Sequence, residues 1–243
     1  PDKMIHFVRA IFILLFISFS LHINAIEGRF QPVVAQNLLP NNSVTALVTD
    51  SYGFIWIGTE YGLSRFDGYN YNSFFYRGQT TNEIPNNQIK QLIETSDKNI
   101  WVACNKGLAK INPVTMEITQ PILGNVEFSK RVIHTIYEDD FKNIWIGTDA
   151  GVYIYSLKYK KLKKIDIGLG DSDNVNVTFI GSDHEKNVWI VSNGGYAKVL
   201  HIYCTELFNS KVYDIIKFPK NQHISSFGID SNGILWSNDG SRL

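Results

Sequence analysis

The sequence predicts an all-β fold, a partial β-propeller of four-stranded antiparallel blades, about four to five of them and truncated. Three observations lead there. Trp56, Trp101, Trp145, Trp189 and Trp236 recur 45, 44, 44 and 47 residues apart. Each stands in the same local pattern, clearest in VTALVTDSYGFIWIGTEYGLSRFDG (Val44 to Gly68) and VIHTIYEDDFKNIWIGTDAGVYIYS (Val132 to Ser156). Within a copy, short β-rich runs alternate with polar turn residues; such a unit cannot bury an apolar face alone, whereas radial repetition of small sheets can.

Ahead of the repeats, residues 1–25 read as an export signal. From Met4 the chain runs MIHFVRAIFILLFISFSLHINA, with Arg9 before an apolar stretch from Ala10 to Leu21 and Ala25 where a signal peptidase would cut. The stretch is below spanning length. Ile23 stands where cleavage sites usually carry a small residue, which keeps an uncleaved anchor as the alternative. Residues 26–243 are then placed outside the cytoplasmic membrane, as the incomplete propeller.

Each repeat is justified position by position from its tryptophan. Val44, Leu47, Ile89, Leu92, Val132, Ile133, Ile136, Val177 and Ile180 mark a first apolar strand. Six residues before the tryptophan stand Asp50, Thr95, Asp139, Asp183 and Asp230, opening a turn in which an Asp carboxylate caps backbone N–H groups while Gly53 and Gly233 take positive φ. The aspartates are a repeat apart, too far to share a calcium ion. A second strand follows as IWIGT, IWVAC, IWIGT or VWIVS, its Trp ring packing on the next sheet, where its N–H needs a partner. Gly62, Gly107, Gly151 and Gly195 turn the chain into a third strand, GLSRFD, GLAKIN, GVYIYS or GYAKVL. A fourth, less regular strand follows, as in YNSFFYR and EITQPI. The fourth unit has a divergent outer half, and the fifth stops where its third strand should start. That ending, with Pro1 ahead of Met4, reads as a fragment.

Composition narrows the chemistry. The chain has 23 Lys plus Arg and 23 Asp plus Glu, a formal net charge of +0, which argues against contact with nucleic acid. Lys158, Lys160, Lys161, Lys163 and Lys164 form the one dense cationic run, read as an outer loop or an edge strand guarded against pairing. Cys104 and Cys204 occupy unequal repeat positions that give no reason to pair; Cys104 takes the place of Thr59, Thr148 and Ser192, as a small, partly buried neutral side chain. No Cys or His spacing fits a metal, so no metal site or cofactor is expected. His134, His184 and His201 lack a positioned nucleophile and are read as surface or hydrogen-bonding residues. Glu60 and Asp149 share a loop position, the nearest approach to paired carboxylates. No catalytic residue is assigned.

Across Asn37 to Tyr76, Asp50, Gly53, Trp56, Gly58, Thr59, Gly62, Leu63, Arg65, Phe66, Asp67 and Gly68 meet the motif of two-component regulator propeller repeats, and the units around Trp101, Trp145 and Trp189 meet it more loosely. Ala103 and Val191 replace Gly58 in later units, and Lys98, Lys142 and Lys186 replace Gly53. The chain thus resembles the periplasmic sensor portion of hybrid two-component histidine kinase/response regulators. The resemblance implies two consecutive propellers and a β-sandwich before a membrane helix, then a cytoplasmic kinase, receiver and DNA-binding domain. It implies an inner-membrane, homodimeric whole protein that senses polysaccharide breakdown products; none of the kinase, receiver or DNA-binding elements occurs in these residues.

The function expected is therefore a periplasmic, non-catalytic sensory or ligand-binding region with an oligosaccharide as ligand. The alternatives are a secreted propeller enzyme acting on glycans and a stand-alone binding scaffold. Repeated packing residues cannot encode a particular ligand, so aromatic residues in connections are preferred as ligand contacts: Tyr52, Tyr61 and Phe141.

Overall fold

The computed structural model describes residues 38–80, 82–121, 126, 128–165, 175–193, 197–203, 211–217, 226–230 and 234–238. All fall in one compact unit, Ala35–Leu243. The segment read as an export signal, Gly195, Cys204 and Gly233 lie outside the described residues, as does the His201 side chain. No helix among the described residues is long and apolar enough to cross a membrane.

Four antiparallel sheets of four strands follow one another along the chain, then a pair of strands. The first holds β1 (Val44–Thr49), β2 (Ile55–Thr59), β3 (Gly62–Phe66) and β4 (Tyr71–Phe74); the second β5 (Ile89–Glu94), β6 (Ile100–Cys104), β7 (Leu108–Ile111) and β8 (Ile118–Thr119). The third holds β9 (Ile133–Glu138), β10 (Asn143–Thr148), β11 (Gly151–Ser156) and β12 (Lys161–Ile165). The fourth holds β13 (Val177–Ser182), β14 (Val188–Asn193), β15 (Ala197–Tyr203) and β16 (Lys211–Lys217), and β17 (Ser226–Ile229) pairs with β18 (Leu235–Asn238). Strands lie in chain order within every sheet, so each sheet is a blade made of successive hairpins. The arc is a partial propeller. The lysine run falls on β12 and the turn before it, and β12 is the outer edge strand of its blade, where cations oppose pairing with another chain.

The turn before each tryptophan is one structure built from different residues. Asp50 N–H donates to the Phe54 carbonyl at 2.9 Å and Gly53 N–H to the Asp50 carbonyl at 3.0 Å. Thr95, Asp139 and Asp183 open the same pair of bonds, and the residue three before the tryptophan is left-handed every time: Gly53 at φ 88°, Lys98 at 62°, Lys142 at 64° and Lys186 at 66°. The lysines change the residue and keep the conformation, that of a three-residue hairpin loop closed by a left-handed position.

Asp50 Oδ1 accepts the Tyr52 and Phe54 N–H groups at 3.0 and 2.9 Å, and Oδ2 accepts Trp56 Nε1–H at 2.7 Å. The Trp145, Trp189 and Trp236 indoles donate likewise to Asp139, Asp183 and Asp230 at 2.8, 2.8 and 2.9 Å. This corrects the expectation that the indole N–H finds its partner on the next sheet: the partner is the turn aspartate of its own blade. Burial by itself would raise the Asp183 carboxyl, but hydrogen bonds from Trp189 and Asn187 outweigh it and hold Asp183 below the usual range. In the second blade Thr95 cannot reach, and buried Trp101 Nε1 has no partner.

The rings do pack forward. Trp56 and Leu63 join Ile84, Ile89, Leu92, Ile100 and Val102 of the second blade; Trp101 joins Ile133, Ile136 and Ile144 of the third; Trp145 joins Val177, Ile180, Val188 and Ile190 of the fourth. Two repeated polar contacts accompany this packing. Gly62, Gly107 and Gly151 N–H groups donate to the carbonyls of Asn87, Arg131 and Val175 in the next blade at 2.7, 3.1 and 2.9 Å. Ser51 N–H and Oγ reach Glu94 Oε1 at 3.0 and 2.6 Å, and Ser96 repeats the clamp on Glu138. Cys104 is fully buried rather than partly so, and burial pushes its thiol up to about 12, leaving it neutral and free of a disulfide.

Candidate functional site

The hairpins give the arc two ends with different construction. At one end lie the uniform Asp turns before each tryptophan. At the other lie the turns between second and third strands, together with the longer connections from one blade to the next. Repetition fixes the short turns here too: Thr59 Oγ1 donates to the Gly62 carbonyl at 2.8 Å and accepts Tyr61 N–H at 3.1 Å, and Thr148 makes the same pair with Gly151 and Ala150. The long connections carry the side chains that no repeat requires, so this end can differ from blade to blade.

A cavity of about 720 Å³ opens at this end of the second blade. Tyr76, Gln79 and Thr80 line it from the connection leaving β4, Lys106 from the β6–β7 turn, and Gln120 and Ser129 from the connection toward β9. The lining is hydroxyl and amide with one aromatic ring and one cation, a set suited to hydrogen-bonding a polar ligand of sugar size.

Its walls are tied down by the chain's own polar groups. Asn87 Oδ1 accepts Tyr76 N–H at 2.7 Å while Asn87 Nδ2 donates to the Tyr76 carbonyl at 3.2 Å. Glu83 Oε2 accepts the N–H groups of Arg77 and Gly78 at 2.8 and 3.0 Å, and the Arg77 N–H in particular holds its carboxyl below the usual range. Gln120 Nε2 donates to the Glu83 carbonyl at 3.3 Å, joining the two connections. Gly107, at φ 95°, lets the lysine-bearing turn sit on Pro85: a Cβ there would stand 2.6 Å from the proline Cβ. The turn that carries Lys106 is thereby seated against the connection that forms the opposite wall.

The residues preferred from sequence do not come together. Tyr61 is on the cavity-bearing end, exposed, with its ring 6.1 Å from that of Phe75. Tyr52 and Phe141 are exposed at the opposite end, in the Asp turns of the first and third blades, where their backbone N–H groups serve Asp50 and Asp139. Glu60 and Asp149 hold equivalent turns two blades apart, with Asn105 at that position in the blade between, and both give their N–H groups to the residue just before the first strand of their own blade, Ser43 and Val132. His134 Nε2 lies 3.0 Å from Asn176 Oδ1 at the start of the next blade, and His184 lies 3.9 Å from its neighbour Glu185. Among the described residues, no three His, Cys, Asp or Glu side chains gather as a metal site would require. Sequence reasoning missed the cavity because most of its wall comes from connections between repeats; the available signals were the polar, irregular stretch from Tyr76 to Gln88 and Lys106, which stands where the first blade has Tyr61.

With the geometry in place, comparison gives the repeats their kind. The family model described as "Two component regulator propeller" matches residues 38–61, 83–106 and 127–150, so these three repeats are of that kind. Among solved structures, the chain is similar to an extracellular domain from B. thetaiotaomicron assigned to a hybrid two component system, at 21% identity and a TM-score of 0.64, over 86% of this chain and 27% of that one. It is also similar to virginiamycin B lyase from Staphylococcus aureus, at 14% identity and a TM-score of 0.61, over 83% of this chain and 65% of the lyase. PorZ, a surface component of the type-IX secretion system of Porphyromonas gingivalis, follows at 16% identity and a TM-score of 0.56, over 88% of this chain and 34% of that one. At these identities the likenesses show the fold. The chain spans about a quarter of the length of the B. thetaiotaomicron domain. Among curated proteins there is no match to the chain.

Proposed function

We propose that this chain is part of the periplasmic sensory region of a membrane-bound hybrid two-component regulator, and that it binds a polysaccharide-derived ligand without transforming it. The observation that carries the reading is the match of three successive repeats to the regulator propeller model. The polar cavity on the variable end supports a binding role, since it offers neutral donors and acceptors on connections tied together by hydrogen bonds. On this reading residues 1–25 direct export, the whole protein sits in the inner membrane as a homodimer, and a cytoplasmic histidine kinase receives the signal.

The test is a thermal-unfolding screen of the purified chain against oligosaccharides released from a range of plant and host polysaccharides, with product analysis of each mixture. Stabilisation by one class, with the sugar recovered intact, is the expected result, because a ligand that binds only the folded state raises its melting temperature. No shift with any saccharide removes the ligand-binding part of the reading. Cleavage of a glycan, abolished by substituting Glu60 or Asp149, replaces it with the glycan-degrading enzyme.

A further inference from the structure

We infer that the cavity at the end of the second blade is built for an acidic sugar, a saccharide carrying a carboxylate such as a uronic acid, with Lys106 pairing that group. The inference rests on the ligand-binding reading above and sharpens it. Among the described lining residues Lys106 is the only charged one, and no carboxylate shares the lining with it. The nearby acid on the same connection, Glu83, is occupied by the backbone N–H groups of Arg77 and Gly78 and by the Thr80 hydroxyl. A cation set among neutral amides and hydroxyls selects an anion, and the remaining lining selects what the anion is attached to.

Those neutral groups match a hydroxylated ring. Gln79 and Ser129 supply both donors and acceptors, and Gln120 keeps its carbonyl oxygen beside the bond it gives Glu83, which suits a sugar hydroxyl because it is both at once. The half-exposed Tyr76 supplies an aromatic ring to the same lining. A phosphate or sulfate ion alone would leave this wall unused.

Isothermal titration of the 243-residue chain with cellobiouronic acid and with cellobiose tests the idea, since the two differ by one carboxylate. The acid is expected to bind about tenfold more tightly, and Lys106→Gln to abolish that preference while leaving the unfolding midpoint in place, because Lys106 is exposed. Tyr76→Ala is expected to weaken both sugars alike. Equal binding of the two sugars, or a preference that survives Lys106→Gln, overturns the acidic-sugar inference and leaves the sensory reading standing. Absence of binding by either sugar also overturns it; the broad saccharide screen then decides whether the sensory reading falls as well.

Discussion

At the scale of single residues, the repeat is held by one carboxylate that does two jobs. Asp139 is buried; its Oδ1 caps Phe141 and Asn143 N–H groups at 2.9 Å each, and its Oδ2 takes the Trp145 indole. Asp139→Ala strands these donors and should cost about 3 kcal/mol in urea unfolding, the scale of losing charge-assisted bonds to buried groups. The second blade supplies the converse experiment. Trp101 Nε1 is buried without a partner because Thr95 stands in the aspartate position, its hydroxyl donating to Asp97 at 2.5 Å. Thr95→Asn offers an acceptor to the indole and a donor to Asp97, and should raise stability by about 1 kcal/mol. Thr95→Asp should gain less, since it sets two carboxylates side by side. Lys98 sits at φ 62° in the same turn. Lys98→Gly relieves the left-handed strain and should stabilise by about 0.5 to 1 kcal/mol net of glycine's extra chain entropy, read from the unfolding midpoint. The turn and its capping aspartate were legible in the sequence. The indole's choice of that same aspartate was not, because a six-residue separation along the chain says nothing of distance until the hairpin closes.

At the scale of elements, adjacent blades meet through a recess on one second strand and a branched side chain on the next first strand. A Cβ at Gly58 would lie 2.6 Å from Ile89 Cγ2, and one at Gly147 would lie 2.6 Å from Thr135 Cγ2 and 2.7 Å from Val177 Cγ1. Gly147→Ala should therefore destabilise by about 1 to 3 kcal/mol through overpacking, measured by thermal or urea unfolding, and Val177→Ala in the same chain should recover part of it. The second blade carries Ala103 at the equivalent place, opposite Gln91 in its own blade and in one core with Ile133 of the next. Strand order and blade boundaries could be read in advance because period-2 patterns and turn residues are local. The cavity could not: its wall joins Tyr76, Lys106 and Gln120 through bonds made by Asn87 and Glu83, and no spacing rule links those positions.

At the scale of the whole molecule, the same sequence position has opposite fates in different blades. Leu47, Leu92, Ile136 and Ile180 each stand nine residues before their tryptophan. Leu92, Ile136 and Ile180 are 5%, 0% and 4% exposed, whereas Leu47 is 64% exposed, and Val44 beside it is 50% exposed against 0% for Ile89. The reason is position in the arc: each first strand is covered by the second strand of the blade before it, and the described residues place no blade before β1. The apolar pattern that marked β1 as a strand identified the strand, while its burial is set by its place in the arc. Stability should follow the packing and not the pattern. Leu92→Ala removes side-chain atoms from a core shared by two blades and should cost about 3 kcal/mol, while Leu47→Ala in the same 243-residue chain should stay within about 0.5 kcal/mol, as exposed substitutions do. Parallel urea titrations of the two variants decide it: a large loss at Leu47 would mean that the first blade's face is covered in solution, and equal small losses would mean that the blades do not pack in the order described.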